Sequence, residues 1–367
     1  MSEDKKQESP PSTEPKLELQ KDHTLPSGVM ALDASADGRT VYAACMDGGV
    51  YEVAAVTGAP VEIGRHDSFA SGARLLHKTG MLVSAGYDGA IKWHDPKSRQ
   101  LIRSVVAHQF WSWKLAASAD ESLVASVTGQ YRPGGYKYEP APETEPSVRV
   151  FDAQAGTLRH TFSHLPPVLS VAFSPDNRFL AAGNMMGTTR VWELASEKLV
   201  AEWSTPSFTS WGTVKSHHYI GGIYGLTFTP DGREIILCGF GPMEDPMGGG
   251  GRQTWQRFDW QANPAKKTGE IADSDAGNGL MENVLFHPDG KRFLMAGRLA
   301  QGKWNAALFD TGSAKLTHSL DSKMRITGFA FASGGKTLVL GGLVGQNKKG
   351  EEKNKGFGRV KIYRVPV

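Results

Sequence analysis

The chain has 367 residues, 40% hydrophobic and 22% charged, with a net charge of +3. That is enough apolar side chain for one globular unit with a real core, and too little positive charge to imply a nucleic-acid binder. No apolar run reaches the roughly 18–20 residues of a membrane helix, and the charged opening Met1-Ser-Glu-Asp-Lys-Lys lacks the apolar centre of a secretory signal, so a cytoplasmic protein with no membrane contact is expected.

Residues 1–15 are charged, proline-rich and nearly free of apolar side chains, which predicts a disordered tail. From Lys16 to His23 apolar and polar residues alternate, as in a half-buried strand. Beyond it one pattern recurs seven times: an apolar triplet, a tight polar turn and a second apolar run. The turns are Ser35-Ala-Asp-Gly, His77-Lys-Thr-Gly, Ser118-Ala-Asp-Glu, Ser174-Pro-Asp-Asn, Thr229-Pro-Asp-Gly, His287-Pro-Asp-Gly and Ala332-Ser-Gly-Gly. Their first residues are 42, 41, 56, 55, 58 and 45 positions apart. A period of roughly 40–45 residues with four short strands per unit marks a propeller blade. The expectation is an all-β, seven-bladed β-propeller of four-stranded antiparallel blades spanning residues 16–367.

Repeat four is the cleanest. Strands are predicted over Val168–Phe173, residues 178–182, residues 189–193 and residues 198–203, each short, rich in β-branched or aromatic residues, and bounded by Gly, Pro, Asp or Asn. The third of these ends in Trp192-Glu193. Asp95, Asp152, Asp259 and Asp310 hold the acidic place in repeats two, three, five and six, behind His94, Phe151, Phe258 and Phe309, and Tyr363 holds the aromatic place in repeat seven. Over about Lys16 to Val367 this pattern resembles the WD-repeat family, whose third strands end in Trp-Asp. The resemblance implies a His–Ser–Asp–Trp hydrogen-bond network in each blade, and here it reads as broken. Repeat two has His66, Ser84 and Asp88 but His94 in the Trp slot, with Trp93 one residue early. Repeat three has His108 and Ser126 without the Asp. Repeat four has His164 and Trp192 but Ala182 and Met186. Such blades are expected to rest on apolar packing, with His23, His66, His108 and His164 as scaffold after the fourth strands.

Repeat seven ends after its third strand, so the strand from Lys16 to His23 is expected to pair onto it and cover its open edge. The two cysteines, Cys45 and Cys238, fall in repeats one and five, which predicts buried free thiols.

Extra residues lie at 130–147, 204–222, 240–253 and 343–358. All fall between second and third strands or after a fourth strand. Because strand direction alternates within a blade, all of them emerge on one face, and insertions in repeat proteins commonly map to a binding face. That face is rich in aromatics interleaved with charge. Candidate partner-binding residues are Trp111, Trp113, Tyr131, Arg132, Tyr136, Tyr138, Trp211, His217, His218, Tyr219 and Tyr224.

Other motifs carry less. Gly334-Gly-Lys-Thr337 imitates the end of a phosphate loop, but it is a blade turn and not a strand-to-helix loop. His217 and His218 are adjacent and have no third ligand near in sequence. Glu282 and Asn283 stand where metal-dependent propeller hydrolases and lactonases place channel-mouth ligands, but one acid and one amide do not make a full oxygen set. The reading is a non-catalytic scaffold that binds a protein or peptide, with no cofactor, no metal and no nucleic acid. A propeller hydrolase using Glu282 and Asn283 is the first alternative, and a passive structural subunit is the second.

Overall fold

The computed structural model describes residues 16–130, 142–211, 219–242, 251–271, 276–345 and 356–366. The expectation of a disordered tail over residues 1–15 falls outside these. The described residues contain no α-helix, only strands and two short 3-10 turns, Pro206–Phe208 and Ser333–Gly335.

Local chemistry explains the repeating hairpin. In Ser35-Ala-Asp-Gly the Ser35 hydroxyl donates to the Asp37 carboxylate at 2.6 Å, which in turn accepts the Arg39 amide at 3.0 Å. The same hydroxyl accepts the Thr40 amide at 3.0 Å and so starts the second strand. Ser118, Ser174 and Thr229 repeat the device with Asp120, Asp176 and Asp231. A side chain that bonds its own turn gives a tight reversal at a fixed length. In the seventh turn, Gly334 and Gly335 take positive φ values of 63° and 91°. A Cβ on Gly335 would lie 2.1 Å from His287 Nε2, so glycine is required there.

Seven antiparallel four-stranded sheets follow in a ring. Blade four, for example, is Val168–Phe173, Phe179–Asn184, Thr188–Glu193 and Lys198–Ser204. Blade seven consists of Arg325–Ala332, Thr337–Leu343 and Gly358–Arg364, and its outer strand is Glu18–Leu25 from the start of the chain. The closing register runs from Glu18 opposite Arg364 to Leu25 opposite Gly358. Asp22 meets Lys361 at 3.3 Å, Glu18 pairs with Arg364, and Leu25 is buried.

Seven apolar clusters among the described residues fill the seven junctions between neighbouring blades. The junction between blades seven and one is packed like the rest, with Val29 and Leu32 against Val339 and Val360. Across it the Thr327 hydroxyl donates to the Val29 carbonyl at 2.6 Å. Cys45 and Cys238 are both free and buried, in separate blades.

Two expectations about histidine need correction. The network of blade two is not broken. His66 Nδ1 lies 2.9 Å from Asp88, its Nε2 2.8 Å from the Ser84 hydroxyl, and that hydroxyl 2.9 Å from His94 Nε2. In the unshifted pairing with the second strand His94 stands opposite Leu82, as Trp192 stands opposite Leu180 in blade four. His94 therefore takes the tryptophan's role, while Trp93 turns to blade three and donates to the Ala153 carbonyl at 2.7 Å. His23 is not one of the post-strand histidines either. It lies within the closing strand and bonds the Ala55 carbonyl of blade one at 2.8 Å. Blade four does lack a full network: His164 Nε2 is buried with no partner, and the ring stands edge-on to Trp192.

Candidate functional site

The first strand of each blade runs from the long-loop face toward the short-turn face. Its early residues therefore ring the channel on the long-loop side. One structure stands out there, in the link between Gln100–Val106 of blade two and Lys114–Ala117 of blade three.

The link is held at several points. Ser112 donates its amide to the Gly86 carbonyl at 3.2 Å, and its own carbonyl accepts the Ser71 hydroxyl at 2.6 Å. The Thr128 hydroxyl donates to the Trp111 carbonyl at 2.8 Å. Trp113 donates its indole N–H to the Gly129 carbonyl at 2.9 Å. Pinned in this way, the aromatics form a tier. Phe110 stacks on Trp111 with centroids 4.8 Å apart, and Trp111 stacks on Tyr87 at 4.5 Å with the rings within 3° of parallel. Trp113 meets Tyr87 and Trp111 edge-on at 5.4 and 5.3 Å, and Phe69 lies 5.6 Å from Tyr87. Trp111 remains 38% exposed although its ring is covered on both sides by neighbours. Trp113 is half-buried and braces the tier from within.

Beside the tier is the channel mouth. The Arg325 guanidinium grips Glu282 through two bonds, Nε to Oε1 at 2.6 Å and Nη2 to Oε2 at 3.2 Å. Burial pushes the Tyr87 phenol up to about 12, and burial with the Glu282 charge does the same for Tyr224. Burial alone would lower the Arg325 guanidinium, but the Glu282 carboxylate holds it above its usual value. Tyr224, on Ile223–Phe228, is half-buried in this mouth. One step deeper, the Asn283 amide accepts from Lys114 Nζ at 2.7 Å and donates to the Thr327 carbonyl at 2.7 Å. This bar crosses from blade three to blades six and seven and divides the channel. Both candidate metal ligands are thus engaged with cationic side chains, a setting that opposes capture of a metal cation.

The remaining sequence candidates fall differently. Trp211 and Tyr219 are paired backbone neighbours in a short hairpin, Thr209–Trp211 with Tyr219–Gly221, in the link after blade four. Tyr131, Arg132, Tyr136, Tyr138, His217 and His218 lie outside the described residues. Sequence reasoning missed Phe69 and Tyr87. Tyr87 opens the second-to-third turn of repeat two, Tyr87-Asp88-Gly89, on the same face as the insertions. That turn is short, so a search confined to long loops passes over it.

Comparison with known proteins points to one family. A model described as WD domain, G-beta repeat, matches residues 156–193, from the end of blade three through the third strand of blade four. A Schizosaccharomyces pombe protein named SAGA complex/transcription factor TFIID complex subunit Taf5 is 32% identical over 80 residues, 22% of this chain and 12% of that protein. The mouse protein named WD repeat and HMG-box DNA-binding protein 1 is 37% identical over 57 residues, 15% of this chain and 5% of that protein. The chain therefore aligns with only a small part of either relative's length.

Proposed function

Because this chain is a WD-repeat β-propeller, we propose that it is a non-catalytic scaffold that holds a protein or peptide partner on its long-loop face. The observation that carries this reading is the tier of Phe110, Trp111 and Tyr87. An aromatic ring pinned in place and left partly exposed loses little entropy on binding and offers a large contact area. In this reading the link after blade four that carries Trp211 and Tyr219 adds to the face, with Tyr224 and the Glu282–Arg325 pair at its centre, and Tyr131, Arg132, Tyr136, Tyr138, His217 and His218, outside the described residues, remain candidates from the sequence. The name of the fission-yeast relative describes a subunit of a complex, which accords with an assembly role. Buried free thiols at Cys45 and Cys238 suit a reducing cytoplasm.

The test is affinity purification from the native cell with wild type, Trp111→Ala and Lys97→Glu. Lys97 lies in a third-to-fourth turn on the opposite face. A hot-spot aromatic contributes about 2 kcal/mol or more, so Trp111→Ala should reduce recovery of the partner by tenfold or more while Lys97→Glu retains it. Equal recovery by both variants would overturn the assignment of the face.

A further inference from the structure

The other half of the channel has a separate chemistry. Below the Lys114–Asn283 bar, all seven first strands enclose a cavity of about 380 Å3 that opens toward the short-turn face. Its size lies within the range of small-molecule sites. Val171, Phe329 and Phe331 supply apolar wall, and Arg74 and Lys114 supply positive charge.

That charge is poorly compensated. A lysine ammonium has three protons to donate. The Lys114 amine gives one to Asn283, and among the described residues no second acceptor takes the others. Burial pulls this amine down to about 8, with Glu282 pushing it up and Arg74 pushing it down further. Arg74 donates from Nη1 to the Ala73 and Leu32 carbonyls at 3.1 and 3.4 Å, and among the described residues its Nε and Nη2 meet no acceptor. The carboxylates nearby are already engaged. Asp33 accepts the Ala34 and Leu75 amides at 2.8 and 2.9 Å, and Glu282 is held by Arg325. Asp33 also lines the cavity and brings a negative charge, but no ion pair joins it to either cation among the described residues, and two cations with spare donors against one carboxylate favour an anion over water alone.

We propose that the short-turn half of the channel is a binding site for a small organic anion, with its carboxylate or phosphate on Lys114 and Arg74 and its apolar body against Phe331 and Val171. The site lies on the opposite side of the bar from the aromatic tier and does not rest on the scaffold reading.

Titration calorimetry of the full chain with benzoate, phenyl phosphate, inorganic phosphate and benzyl alcohol tests it. Saturable binding of benzoate or phenyl phosphate is expected, at least tenfold tighter than benzyl alcohol. Whichever of the two binds tighter identifies the charged group, and inorganic phosphate should bind more weakly than phenyl phosphate because it leaves the apolar wall bare. Lys114→Met and Arg74→Gln should each weaken the tighter anion tenfold or more. Arg74 is only half-buried, so its variant serves if Lys114→Met fails to melt cooperatively. Absence of saturable binding by either organic anion overturns the proposal. So does binding that Arg74→Gln leaves unchanged.

Discussion

At the scale of single residues, the buried histidines tie stability to pH. Burial lowers His94 to about 4 and His108 and His164 to about 3. An unfolded histidine titrates near 6.5, so as pH falls the unfolded chain takes up protons before the folded one. These groups thus leave stability intact above about pH 6.5 and drain it as pH drops toward 4. Each contributes a slope of about 1.4 kcal/mol per pH unit in that window, so the three together give roughly 4 kcal/mol per unit at its steepest. Thermal melts between pH 7.5 and 5 should show the midpoint falling steeply below 6.5, and His108→Gln should remove about a third of the slope. A flat profile would mean that these rings are solvated in the native state. The substitution of His94 for tryptophan fits the same logic. A ring that accepts the Ser84 proton, or donates its own, continues the network, but its Nδ1 is left buried without a partner.

At the scale of strands, the closing strand Glu18–Leu25 decides whether blade seven has an open edge. Removing residues 1–24 strips Asp22, His23 and the pairing with Gly358–Arg364, and it leaves that third strand with unpaired backbone groups. This truncation should cost several kcal/mol and promote aggregation, while removal of residues 1–15 alone should leave the melting temperature nearly unchanged. Equal melting temperatures for the two truncations would refute closure by this strand. The strand was legible in the sequence because period-two alternation is a local signal, and the four Ser/Thr-X-Asp turns at Ser35, Ser118, Ser174 and Thr229 were legible because each bonds itself. The aromatic tier was legible only in part. Phe110, Trp111 and Trp113 are adjacent in sequence, but Tyr87 reaches Trp111 only because the link doubles back across the end of blade two, held by Ser112 on Gly86. His94 in the tryptophan slot was legible as well, but not that its imidazole would complete the network, because residue types alone do not give the distance from its Nε2 to the Ser84 hydroxyl.

At the scale of the whole ring, every blade packs its two faces against two neighbours, so no blade is terminal. The junction between blades seven and one contains Leu32, 1% exposed, and the junction between blades three and four contains Leu180, fully buried. If the ring behaves as one cooperative unit, a cavity at either junction is felt by all seven. In an open array, a defect next to the chain ends would instead loosen only the end. Leu32→Ala and Leu180→Ala are each expected to cost about 2–5 kcal/mol, the range for burying a cavity in a packed core. Both should lower the midpoint of a single calorimetric transition and leave it single. Two resolved transitions in Leu32→Ala, one of them at the wild-type temperature, would show that blades one and seven open separately. The long-loop face would then sit on a hinge between those blades instead of a rigid platform.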